Sequence, residues 1–143
     1  MADEKTPMTV NIVTPDGKVY DHHANMVIVK TTSGEMGLMA NHEPVVAPLE
    51  IGEVRVRRVD NPGHEDSIAV NGGFMEMSNN VVSVVADSAE RARDINLSRA
   101  EAARQRAEKR IEEAKTTQDT DELQRAQVAL QRAINRINVK NGN

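Results

Sequence analysis

The chain has 143 residues, 18 Lys and Arg against 22 Asp and Glu, and no Cys. That length suits one ordinary domain or a small domain with an appendage, and the missing cysteine excludes a disulfide framework, a thiolate nucleophile and a Cys-type zinc site. No uncharged apolar run approaches the roughly 20 residues of a spanning helix, so any membrane association is expected to run through a partner.

The opening Met1-Ala2-Asp3-Glu4-Lys5 has no apolar stretch after its charges, so no signal peptide is read there and a cytoplasmic setting fits. Met8, Val10 and Ile12 then alternate with Thr9, Asn11 and Val13, and Pro15-Asp16-Gly17 supplies a turn. Met26-Val27-Ile28-Val29 is apolar at every position, as in a strand covered on both faces. Glu53-Val54-Arg55-Val56-Arg57 alternates, with one face wet. Asn61-Pro62-Gly63 makes a further turn, Ile68-Ala69-Val70 leads into Asn71-Gly72-Gly73, and Val81 to Ala86 forms a last strand. Short strands at this spacing predict an antiparallel β-sandwich or barrel. Tyr20 and Phe74 are the only aromatics, so Val, Ile, Leu and Met must fill its core. The methionines, Met26, Met36, Met39, Met75 and Met77 among them, are read as part of that filling.

The character changes near Asp94. Residues 1–94 carry 8 Lys/Arg against 15 Asp/Glu, a balance of −7, and residues 95–143 carry 10 against 7, a balance of +3. A division of this kind points to two surfaces with different partners. Beyond the boundary Leu97, Ala100, Ala103, Ala107, Ile111 and Ala114 form one apolar helical stripe, and Leu123, Ala126, Leu130, Ala133 and Ile137 form a second. The polar break Thr116 to Thr120 separates them, and Asp121 with Gln124 reads as a capping box opening the second helix. The prediction is therefore a β-sandwich over residues 1–94 and an antiparallel two-helix hairpin over residues 95–143. An alanine seam buries little: a fully buried Leu or Ile contributes only about 1.5–3 kcal/mol, against roughly 1–2 kcal/mol of backbone entropy per ordered residue. Such a hairpin needs docking to persist, and a weakly held element is a switchable one.

Arg99, Arg106 and Arg110 fall at n, n+7 and n+11, and Arg125, Arg132 and Arg136 repeat that spacing. At 3.6 residues per turn each triplet lies within about 20° of one line. Both lines flank the alanine seam, so a folded hairpin could converge six guanidinium forks into a polyphosphate site. The plainer alternative is a solvated charged face with helical pairs such as Arg104–Glu108 and Lys109–Glu113.

Three segments carry a family resemblance. Gly37-Leu38-Met39-Ala40-Asn41-His42-Glu43-Pro44 resembles the glycine–histidine–proline stretch of bacterial F-type ATP synthase epsilon subunits. Ala69-Val70-Asn71-Gly72-Gly73-Phe74 resembles their Gly-Gly-Phe strand, and Ala86-Asp87-Ser88-Ala89-Glu90-Arg91 the segment closing their sandwich. The likeness runs over essentially the whole chain. It implies a non-catalytic subunit whose sandwich meets the gamma subunit and the c-ring, with Glu35 and His42 in the loop region facing the ring. It also implies a hairpin that extends toward the alpha and beta subunits and restrains ATP hydrolysis, in a peripheral complex on the cytoplasmic face of the plasma membrane.

Some members bind ATP in the folded hairpin through Ile-Asp-x-x-Arg-Ala and arginines of the second helix. Here Ile95-Asn96-Leu97-Ser98-Arg99-Ala100 matches with Asn96 in place of the Asp, and Glu90, Arg132 and Arg136 fall at other ligand positions, with Arg106 a further candidate. Asn keeps an acceptor but loses charge assistance. The resemblance thus implies no required cofactor, and ATP, alone or with Mg, as a regulatory ligand bound weakly or not at all. Other chemistry finds little footing. His22-His23 point to opposite faces of a strand and cannot share a metal, and Asn71-Gly72-Gly73 lacks the Lys and helix of a phosphate loop. Neither Ser33 nor Ser88 has a His–acid arrangement around it. Three readings stay open: a rotor-coupling inhibitory subunit, a free-standing ATP sensor and a helical adaptor. The acidic first part and the scarcity of stacking aromatics weigh against nucleic acid.

Overall fold

The structure is a computed structural model that describes residues 7–142. The opening five residues, on which the signal-peptide reading rests, lie outside the described residues. Seven strands come first: β1 (Met8–Thr14), β2 (Gly17–Thr31), β3 (Gly34–Met39), β4 (Val45–Arg58), β5 (Glu65–Ser78), β6 (Val81–Ala86) and β7 (Ala89–Arg91). A single 3-10 turn, Ala92–Asp94, precedes α1 (Leu97–Thr117) and α2 (Thr120–Lys140). Contacts divide the chain into two compact units between Arg91 and Ala92. The turn Ala92–Asp94, placed with the sheet in the sequence reading, groups with the helices.

The β unit closes on itself. Its strands follow the order β1-β6-β5-β4-β2-β3, and β1 also pairs with β2, which completes a ring of five; β3 lies beside β2 and β7 beside β5. Every pairing is antiparallel except β1 with β6. The expected alternation in β1 holds, with Met8, Val10 and Ile12 buried and Thr9, Asn11 and Val13 less so. In the apolar run of β2, Val27 and Val29 are fully buried while Met26 and Ile28 are half-buried. Met39 is a correction to the methionine core: strand alternation turns Leu38 inward and leaves Met39 53% exposed.

β4 and β5 each change the face they bury partway along. In β4 the inward residues are Ala47 and Leu49, then Gly52, Val54 and Val56; in β5 they are Asp66, Ile68 and Val70, then Met75 and Met77. The two strands stay paired across the switch, with Leu49 opposite Gly73 and Ile51 opposite Asn71. A paired bend of this kind carries two strands around the corner from one layer to the other. Asn71-Gly72-Gly73 therefore lies inside a continuous strand. Gly73 has φ +120°, and a Cβ there would sit 2.1 Å from the Val85 carbonyl oxygen. No other residue type fits that approach.

The helical unit is a hairpin with a two-residue connection, Gln118 and Asp119. Gln118 takes the left-handed conformation at φ 58°, and its amide reaches the Ala114 and Lys115 carbonyls. The Asp119 carboxylate accepts from the Glu122 amide at 3.1 Å and starts α2. The cap is thus Asp119 and not Asp121, which lies in the first helical turn; Asp119 with Glu122 has the capping-box spacing. Ala100, Ala107 and Ala114 of α1 and Ala126, Ala133 and Val139 of α2 are the buried seam. Leu97 belongs to the expected stripe but is exposed.

Candidate functional site

The sequence pattern Ile95 to Ala100 is, first, a helix start. The Asn96 side-chain oxygen accepts from the Arg99 amide at 3.1 Å, the bond that caps α1. Ile95 and Ala100 flank that cap in the spacing of a hydrophobic staple and are both buried. Arg99 is exposed. Four of the pattern's residues therefore have a local structural role, and an Asp at position 96 would cap equally well.

Helical geometry sets Arg99, Arg106 and Arg110 along one flank of the α1 seam, and Arg125, Arg132 and Arg136 along one flank of the α2 seam. Near the hairpin tip these flanks share a side. Arg110 donates from Nε and Nη2 to the two Glu122 oxygens at 2.9 and 3.0 Å, and Arg125 Nε lies 3.5 Å from Glu122 Oε1. Glu122 thus bridges arginines of both helices, and the Arg110 hydrogen bond holds its carboxyl below the usual glutamate range. Arg106 is exposed. The Arg132 Nε atom is buried with no hydrogen-bond partner among the described residues, a costly state for a donor. On α1, Arg104 also forms helical pairs with Glu101 and Glu108 at 2.9 and 3.6 Å. The arginine faces are therefore partly self-neutralised and partly open.

The remaining site candidates belong to the β unit. Glu90 lies in β7, opposite Ala69 of β5. Glu35 is a strand residue rather than a loop residue: it sits near the start of β3, opposite Lys30. His42 follows the other end of β3, exposed, with Nδ1 2.7 Å from the Glu43 carbonyl oxygen. The intervening run of β3 keeps Glu35 and His42 apart. His22 packs edge-on against Tyr20 at 4.7 Å between ring centroids, while His23 meets the Thr9 hydroxyl at 3.3 Å, on the opposite face.

Sequence reasoning missed one charged cluster. Asp66 of β5 is only 9% exposed. The Tyr20 hydroxyl donates to its Oδ2 at 2.5 Å, and His64 Nε2 lies 3.0 Å from its Oδ1. Arg58 and Arg91 face it at 3.6 and 3.9 Å, and the Arg91 guanidinium stands 5.1 Å over the Tyr20 ring. Burial pushes the Asp66 carboxyl up, but the Tyr20 and His64 hydrogen bonds and the two arginines outweigh it and hold it below the aspartate range. Burial, reinforced by the bond to Asp66, pushes the Tyr20 phenol up. The available signal was an acid at an inward position of an alternating strand.

The chain thus has two parts, a closed β unit and an arginine-flanked helical hairpin. The family model described as ATP synthase, Delta/Epsilon chain, beta-sandwich domain matches residues 7–92, and the one described as ATP synthase, Delta/Epsilon chain, long alpha-helix domain matches residues 93–141. The chain belongs to this ATP synthase delta/epsilon family, as a subunit of the complex and not a catalytic one. It is 67% identical to the ATP synthase epsilon chain of Latilactobacillus sakei over 99% of its own length and 97% of the relative's. It is 69% identical to that of Lacticaseibacillus casei over 98% of both chains. A chain in the cryo-EM structure of the Euglena gracilis mitochondrial ATP synthase has a similar fold, with a TM-score of 0.72 at 21% identity, covering 87% of this chain and 76% of that one. No described helix is long and apolar enough to cross a membrane.

Proposed function

We propose that this chain works in the central stalk of a bacterial F-type ATP synthase, where its β unit couples to the gamma subunit and c-ring and its hairpin restrains ATP hydrolysis. The observation that carries this reading is the contrast in how the units are held. A closed β core suits a part that must transmit torque, and an alanine seam suits a part that must change partners. The +3 charge of residues 95–143 favours approach to acidic surfaces of the alpha and beta subunits. On this reading the complex sits peripherally on the cytoplasmic face of the membrane. Deleting residues 95–143 tests it: assembly and proton-coupled synthesis should persist while suppression of hydrolysis changes. Loss of assembly would contradict the division of labour.

The open part of the arginine face supports a second, compatible role as a weak ATP sensor. The partnerless Arg132 Nε is the specific observation in its favour. Ile95, Asn96, Arg99, Ala100, Arg106, Arg132 and Arg136 are its candidate residues within the helical unit. Calorimetric titration of the isolated chain with MgATP should give weak binding, and Asn96→Asp should tighten it by about tenfold through a charge-assisted bond. No heat from either protein at millimolar MgATP removes the role.

A further inference from the structure

β7 is an unusually slight element for its position. It is three residues long, pairs in a ladder only with β5 among the described residues, and its last residue, Arg91, directly precedes the helical unit. A three-pair ladder is too short to hold itself against fraying, so other contacts must fix it. At its start Ser88 serves this purpose: its carbonyl accepts the Asn71 amide at 2.9 Å, and its hydroxyl oxygen lies 2.6 Å from Asn71 Nδ2. At its end stands the Asp66 cluster.

We propose that Asp66 is a positioning residue that latches β7, the last strand before the helical unit. Arg91, 13% exposed at its side chain, is clamped between the Asp66 carboxylate and the face of Tyr20. Those two anchors are themselves joined by the Tyr20–Asp66 hydrogen bond, so strands β2, β5 and β7 share one charged knot. Arg58 is attached differently. It donates to both Asp60 oxygens at 2.9 and 2.8 Å and keeps that partner if Asp66 is neutralised. Arg91 then loses the carboxylate it faces. Neutralising Asp66 should therefore loosen β7 selectively, whereas an acid that merely plugged the end of the core would loosen its neighbouring strands together.

Amide hydrogen exchange of the full chain, resolved by NMR, separates these cases and does not depend on the inhibitory or ATP-sensing readings. In Asp66→Asn, exchange in Ala89–Arg91 should quicken about tenfold or more relative to Val82–Val84 of β6. Tyr20→Phe keeps the ring beneath Arg91 and removes only the hydroxyl, so it should move β7 the same way by a smaller factor. It carries the test alone if Asp66→Asn does not fold. Exchange that rises equally in β6 and β7, or in neither, overturns the proposal.

Discussion

The two units solve the same problem of burying a backbone by opposite means. The β unit interlocks Val, Ile, Leu, Met and one Tyr in a closed ring of five strands, so removing any strand of the ring opens the core. The hairpin rests on a seam of alanines, which lets helices pack closely but contributes little apolar area for its length. How firmly each unit is held therefore follows from side-chain size at inward positions. Polar connections are likewise divided: a buried carboxylate knots the β unit, while a half-exposed Arg110–Glu122 pair pins the hairpin tip.

Four changes probe that contrast, in decreasing order of effect. Gly73→Ala sets a methyl against the Val85 carbonyl at an unfavourable φ, so urea denaturation should show the β unit destabilised by about 3 kcal/mol or more, with helix content in the hairpin less affected. Ala107→Leu keeps helix propensity but overfills the seam; the hairpin should lose about 1–3 kcal/mol while the β unit keeps its midpoint. Asp119→Ala removes the cap of α2, costing about 1 kcal/mol in hairpin stability by thermal melting of the ellipticity at 222 nm. The smallest effect is on pH. Because Arg110 lowers the Glu122 carboxyl from its ordinary 4.5, the stabilisation from this bridge is present above that value and is lost as pH falls through the lowered one. Exchange at the hairpin tip should therefore quicken only in acid, and Glu122→Gln should abolish that acid response.

Much of this fold was legible because its periodicities are simple. Alternation marks β1 and the Glu53–Arg57 part of β4, an unbroken apolar run marks β2, and seven-residue alanine spacing marks both helices. The corner in β4 and β5 was not legible, since a strand that switches its buried face breaks the period-two signal where Gly72 and Gly73 imitate a turn. The α2 start was displaced because Asp119 and Asp121 both precede an apolar stripe, and only geometry shows which carboxylate meets an orphan amide. The arginine flanks could be read from helix angles. The bridging role of Glu122 could not, because it depends on the register between helices. The Asp66 knot stayed hidden for a related reason: Tyr20 and Asp66 are 46 positions apart, and no local pattern joins them.

The central contrast is open to one direct measurement, because Tyr20 is the sole tyrosine, the chain has no Trp, and that tyrosine is buried in the β unit. Its fluorescence reports the β unit, while ellipticity at 222 nm is dominated by the two helices. In a urea titration of the intact chain followed by both signals, the helical signal should fall at lower urea than the Tyr20 signal. Superimposable curves would mean a single cooperative unit and would contradict the account.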